Sequence, residues 1–291
     1  SNSTRPKLAE LERRFKQLED MVRFDATVIV YIEGATAGSN LYDFEALVIT
    51  LAHGVQKNGL KVELIAVLWD ATEDERMTFA STATRVSNAA LTLRLILVPE
   101  ALRTLILRRH VGRKGVAGAA AYNMASRLAS SLRMVVVSLG TFFADGFFAA
   151  LSSSKQSMEP NVQVLSSCIV DIGSRANATL RVMKNASELE QKFCSGRQYR
   201  SGGLSMPVSV WAAVEGMPES PLLSQDADLH FDQRLRSTGY RPTWMACGGA
   251  CIFSLRSTWK PQWRVGPISS SEKAVGNQPR LEMQLSSDEV Q

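Results

Sequence analysis

The stretch Ala26-Thr27-Val28-Ile29-Val30-Tyr31-Ile32, closed by Glu33-Gly34, decides the fold. Its apolar and β-branched residues stand at consecutive rather than alternate positions, so neither face of the strand is left for water. Residues 61–68, ending at Trp69-Asp70, repeat the pattern, as do 91–98, closed by Pro99, then 133–139 and 162–171. Segments of helical spacing lie between them. In 41–57, Leu41, Phe44, Leu47, Val48 and Leu51 share one face before Asn58-Gly59 stops the helix. The next, 72–86, opens with Glu73, Asp74 and Glu75, which suit the positive end of a helix dipole. Residues 115–131 read as a small-residue helix and 145–153 as another. Strands buried on both faces, alternating with helices, predict an α/β fold: a mostly parallel sheet flanked by helices. Such sheets bind ligands outside the carboxyl ends of their strands. Glu33, Asp70 and the turn 138–141 occupy three such ends.

Working outward, residues 195–206 are rich in Gly, Ser and Arg and read as a loop. Residues 223–237 read as a helix ending at Gly239, and 243–255 as strand-like. Upstream, Leu8, Leu11, Phe15, Leu18 and Met21/Val22 fall at heptad spacing among Glu, Arg and Lys. That predicts a short amphipathic helix over 5–23, either docked on the domain or part of a coiled-coil stalk through which the chain forms a homo-oligomer. Three regions follow: 1–24 as N-terminal helix or stalk, 25–265 as the α/β domain, and 266–291 as an irregular tail.

Hydrophobic residues make up 45% of the 291 and charged residues 21%, which excludes wholesale disorder. The net charge of +5 is spread without an aromatic-interleaved basic stripe, so no nucleic-acid partner is expected. The most apolar stretch, 134–151, is interrupted by Gly140, Asp145 and Gly146 and is no membrane span. His53, His110 and His230 are too scattered for a metal site, and Gly112-Arg113-Lys114-Gly115 lacks the full phosphate-loop pattern. The four cysteines, Cys168, Cys194, Cys247 and Cys251, avoid the C-x-x-C spacing. Sequons at Asn2, Asn177 and Asn185 tilt the reading toward the secretory pathway, where two disulfides persist. The alternative is four reduced, buried thiols in a cytoplasmic protein.

Several motifs then line up in order. Val67-Leu68-Trp69-Asp70-Ala71-Thr72 resembles the valine-aspartate-aspartate-glycine-serine turn of family-2-type glycosyltransferases with the GT-A fold. Gly118-Ala119-Ala120-Ala121-Tyr122-Asn123 resembles the small-residue helix start that precedes their metal-binding strand. Val135-Val136-Val137-Ser138-Leu139-Gly140-Thr141 stands where that strand and its D-x-D motif belong, and Phe147, Phe148 and Leu151 match the helix after it. Val214-Glu215-Gly216-Met217-Pro218-Glu219 is similar to the acceptor-side turn. Gln225-Asp226-Ala227-Asp228-Leu229, with Arg234-Leu235 and Gly239-Tyr240, resembles the family's E-D-x-D-L helix, with two extra residues before the arginine. The resemblance runs from Thr27 to about Leu255.

It implies a glycosyltransferase moving a sugar from a UDP- or GDP-linked donor to a hydroxyl of a glycan, protein or lipid. Asp226 would be the general base of an inverting transfer. Nucleotide-sugar contacts would fall to Glu33, Asp70, Asn123, Thr141 and Arg234, and acceptor contacts to Glu215 and Asp228. Asp70 alternatively caps the helix beginning near Thr72, and Asp226 alternatively serves the dipole of its own helix. The D-x-D position reads Ser138-Leu139-Gly140-Thr141, with no carboxylate, and Ala246-Cys247-Gly248-Gly249 stands where the metal-side histidine belongs. No metal ligand is therefore assigned, and the family's Mn or Mg is disfavoured. Arg108, Arg109, Arg113, Lys114 or the arginines of 197–200 would neutralise the diphosphate instead. The implied setting is the Golgi lumen, as a trimmed type II membrane protein. A non-catalytic GT-A-like binding or assembly module is the competing expectation.

Overall fold

The computed structural model describes residues 24–33, 38–86, 89–109, 115–154, 161–170, 194, 200–219 and 227–255. The heptad segment 5–23, the three sequons, Asp226 and the tail 266–291 lie outside them. Strand β1 (Ala26–Glu33) leads to helix α1 (Gly38–Lys57), β2 (Val62–Trp69), α2 (Glu73–Val86), β3 (Leu91–Leu97) and α3 (Glu100–Arg109). Then come α4 (Gly115–Ser126), β4 (Arg133–Ser138), β5 (Thr141–Phe143), α5 (Asp145–Ser154) and β6 (Gln163–Val170). The described chain closes with β7 (Arg200–Pro207), α6 (Val208–Ala213), α7 (Ala227–Ser237), β8 (Thr243–Trp244) and β9 (Ile252–Leu255).

These strands form one sheet in the order β3-β2-β1-β4-β7-β6-β9-β5, with β8 also on β6. The first four strands are parallel, as their apolar runs require. The sheet as a whole is mixed rather than mostly parallel, because β7 runs antiparallel to both β4 and β6, and β5 runs antiparallel to β9. One core fills the face under α1, α2 and α5, with Phe44, Leu47, Leu51, Phe79, Phe147 and Phe148 against the sheet. The other face carries Ile29, Ile65, Val67, Val136 and Leu204 under α4, α6 and α7. Phe147, Phe148 and Leu151, which match the family's helix after its metal-binding strand, are buried on α5.

Three local readings need correction. The expected loop 195–206 contains a strand, β7, at the centre of the sheet. Its glycines answer to crowding. A Cβ on Gly203 would stand 2.5 Å from the Val136 carbonyl oxygen, and one on Gly202 would stand 2.4 Å from side-chain atoms of Ile252 and Ser167. The strand-like stretch 243–255 is two strands, both on the same edge of β6. Between them the chain leaves the edge in a loop closed by a Cys247–Cys251 disulfide. Ser166 holds the detour from below, its Oγ donating to the Gly249 carbonyl at 2.8 Å and its backbone oxygen accepting from Cys251 N at 2.9 Å. Cys168 on β6 bonds to Cys194 across 26 residues of sequence, and no described cysteine is free. Finally, the small-residue helix stops at Ser126 rather than 131. Ser130 and Ser131 turn instead to the buried Glu63 and to Thr27, with Ser130 N donating to Glu63 Oε2 at 2.9 Å and the Ser131 and Thr27 hydroxyls 2.8 Å apart.

Candidate functional site

In this sheet, β1 to β3 progress to one side, and the chain then crosses to lay β4 on the other side of β1. The carboxyl ends of β1 and β4 therefore diverge into a crevice, the place where open α/β sheets take their ligands. Register brings Tyr31 beside both Val67 and Ser138, and Glu33 beside Trp69. Tyr31 and Trp69 both border the core beneath α4, as does Tyr122 from α4 itself. The Tyr31 ring meets Trp69 edge-on at 6.4 Å between centroids and Tyr122 at 6.3 Å. Glu33 is exposed at the rim, its carbonyl accepting from Asn40 Nδ2 at 2.9 Å. Burial first, and the Glu33 carboxylate second, push the Tyr31 phenol pKa far above its ordinary value.

Asp70 ends β2 in the left-handed region, at φ 62°. Aspartate tolerates this conformation better than most residues, yet it still carries strain. The Arg103 guanidinium of α3 pairs with its carboxylate, which remains open to solvent. Asp70 does not cap α2. Thr72 and Glu75 form a reciprocal capping box, Thr72 N donating to Glu75 Oε2 at 2.7 Å and Glu75 N to Thr72 Oγ1 at 3.2 Å. The carboxylate of Asp70 is thus not needed to start the helix.

The remaining expected residues divide. Thr141 is fully buried, and its Oγ1 donates to the Ser138 carbonyl at 2.7 Å, closing the β4–β5 turn across Gly140 at φ 82°. Asn123 is buried on α4 and clasps the turn after α6. Its Nδ2 donates to the Met217 carbonyl at 2.8 Å and to Glu219 Oε1 at 2.7 Å, while its Oδ1 accepts from Met217 N at 2.8 Å. From α7, Arg234 Nη1 reaches the Val214 and Gly216 carbonyls at 3.4 Å each. Glu215 is exposed at the head of this turn, at φ 59°. Glu33 and Asp70 therefore share the strand-end crevice, whereas Asn123, Arg234 and Glu215 meet at the turn. Asp228 lies on α7, and Asp226 falls outside the described residues. Sequence reasoning missed Tyr31, Trp69 and Arg103. The consecutive apolar run hid the two aromatics, and only the fold brings Arg103 to Asp70.

The β4–β5 turn offers hydroxyls and backbone but no carboxylate, and the Thr141 hydroxyl is committed to Ser138. Asp145 opens α5, and its carboxylate pairs with Lys57 Nζ at 2.7 Å. Among the described residues no three His, Cys, Asp or Glu side chains come together as a metal site. The described residues of this turn supply no carboxylate for the divalent ion of the family pattern.

The strand order defines an α/β architecture, a mixed sheet flanked by helices, that resembles folds of the GT-A kind. Among solved structures, S. aureus TarS shares it at a TM-score of 0.52 and 12% identity, over 80% of this chain and 37% of that one. TarS 1–349 in complex with UDP-GlcNAc superposes at 0.51 and 11% identity, over 82% and 62%. The mannosyltransferase PcManGT from Pyrobaculum calidifontis, in complex with GDP-Man and Mn2+, matches at 0.44 and 16% identity, over 83% and 59%. The chain thus spans between about a third and two thirds of these proteins' lengths. No family model and no curated protein sequence matches it.

Proposed function

We propose that the chain is a glycosyltransferase domain that takes a UDP- or GDP-linked sugar in the crevice at the carboxyl ends of β1, β2 and β4. The observation that carries this reading is the strand order, which puts a topological switch point between β1 and β4. Glu33 and a solvent-facing Asp70 stand beside aromatic rings at the switch point of a fold shared with a protein solved with UDP-GlcNAc. Carboxylates there accept hydrogen bonds from base N–H groups and ribose hydroxyls. Asp226, immediately before α7, takes the proton of the acceptor hydroxyl as its oxygen attacks the anomeric carbon. The bond from that carbon to the diphosphate breaks, and configuration inverts. Asn123 and Arg234 serve this reaction by holding the acceptor-side turn rather than by touching the donor. No step is routed through a metal.

The two disulfides support an oxidising compartment, and we place the protein in the secretory pathway, in the Golgi lumen. The test is turnover of UDP- and GDP-sugars, scored as nucleotide release. Asp226→Asn is expected to lower it by ~10²–10⁴-fold with nucleotide affinity unchanged. The carboxylate-free β4–β5 turn favours a second reading, a binding module of the same fold. Nucleotide binding without turnover by the wild type would decide for it.

A further inference from the structure

The turn between α4 and β4 presents apolar side chains to solvent from a fixed backbone. Leu132 is 61% exposed, the most of any large hydrophobic residue among the described ones, and Leu128 is 45% exposed. Neither is loosely held. Leu128 N donates to the Ala125 carbonyl at 3.0 Å, and the Leu128 carbonyl accepts from Arg94 Nη1 at 2.9 Å. The Leu132 carbonyl accepts from Val208 N at 2.9 Å. Between the two leucines, Ser131 forms an isolated parallel bridge with Phe24, where the described chain begins. The next residue is fixed as well, Asp25 N donating to the Lys61 carbonyl at 2.7 Å and Asp25 Oδ2 accepting from Lys61 N at 2.7 Å. The chain before Phe24 therefore enters the fold alongside the turn that carries both leucines.

We propose that segment 5–23 docks on this turn of its own domain, with Leu18, Met21 and Val22 covering Leu128 and Leu132. The sequence of the segment suits that surface. Leu8, Leu11, Phe15, Leu18 and Met21/Val22 make one apolar stripe at heptad spacing, and burying such a stripe against exposed leucines is favourable. Glu19, adjacent to Leu18, is opposite in charge to Arg127, which is exposed beside Leu128. Val22 stands two residues before Phe24, and a chain spans at most ~3.6 Å per residue, so the end of the stripe is tethered close to the turn. Over so short a link the effective concentration is on the order of millimolar, which favours the chain's own segment over that of a second copy. The turn lies at the amino ends of β1 and β4, whereas Glu33 and Asp70 lie at the carboxyl ends of β1 and β2. The docked end of the segment thus leaves the proposed nucleotide site clear.

Amide hydrogen exchange of the full chain, as wild type, Leu128→Ser/Leu132→Ser and Leu18→Ser/Val22→Ser, tests this. Amides of 15–22 should exchange at least about tenfold more slowly in the wild type than in either variant. Amides of β1 and β2 should exchange alike in all three, which shows the domain intact. In Leu18→Ser/Val22→Ser, a change outside the described residues, amides of 127–132 should in turn exchange faster than in the wild type. Light scattering of the same samples should give a monomer at every concentration. Absence of protection over 15–22 in the wild type overturns the inference. So does protection that Leu128→Ser/Leu132→Ser leaves unchanged, or exchange over 127–132 that Leu18→Ser/Val22→Ser leaves unchanged. Protection that rises with protein concentration alongside a dimer also overturns it, and assigns the segment to a second copy.

Discussion

Gly216 shows how one residue can bind three elements together. It sits at φ 66°, and a Cβ there would stand 2.1 Å from Asn123 Oδ1 and 2.8 Å from Trp211 Nε1. Gly216→Ala would add left-handed strain and break the Asn123 clasp on Met217. The expected loss is about 2–4 kcal/mol in urea unfolding. Asn123→Ala leaves the buried Met217 N–H and carbonyl unpaired and should cost about 2–3 kcal/mol by the same measurement. Asp70 behaves differently. Asp70→Gly relieves the left-handed backbone and gives up only a solvent-facing ion pair, so stability should stay within about 1 kcal/mol of wild type while nucleotide affinity falls. At this scale the sequence named Glu33 and Asp70 correctly as strand-end residues, because a carboxylate closing an apolar run marks its own position. It could not show that Asn123 serves a turn more than ninety residues downstream, since only the packing of α4 against that turn brings them together.

Elements were legible where burial set their composition. Strands β1 and β2 are covered on both faces, and their unbroken apolar runs say so. β7 is as central, but its neighbours leave no room for side chains, so it is written in Gly and Ser and looks like a loop. β5 spans only three residues and left no periodicity to read. The start of α2 rests on the Thr72–Glu75 box, and Thr72→Ala should cost about 1 kcal/mol. The disulfides act on longer stretches. In the chain-entropy model, the bond across 26 residues contributes about 3–4 kcal/mol, and the one across four contributes about 2 kcal/mol. Thermal melts of Cys168→Ala/Cys194→Ala and Cys247→Ala/Cys251→Ala should show the first pair as the more destabilised. The reverse order would mean that strain or residual unfolded structure outweighs loop length.

Across the described residues as a whole, apolar layers cover both faces of one sheet, and the strand order puts the switch point between β1 and β4. Everything proposed about function depends on a nucleotide entering there. The direct measurement is calorimetric titration of UDP and GDP, with and without manganese, into wild type and Asp70→Gly. One or both nucleotides should bind the wild type with an affinity that manganese leaves nearly unchanged, because no carboxylate stands at the β4–β5 turn, and Asp70→Gly should bind at least about tenfold more weakly. Failure of both nucleotides to bind the wild type under either condition, or undiminished binding by Asp70→Gly, would contradict the assignment of the site.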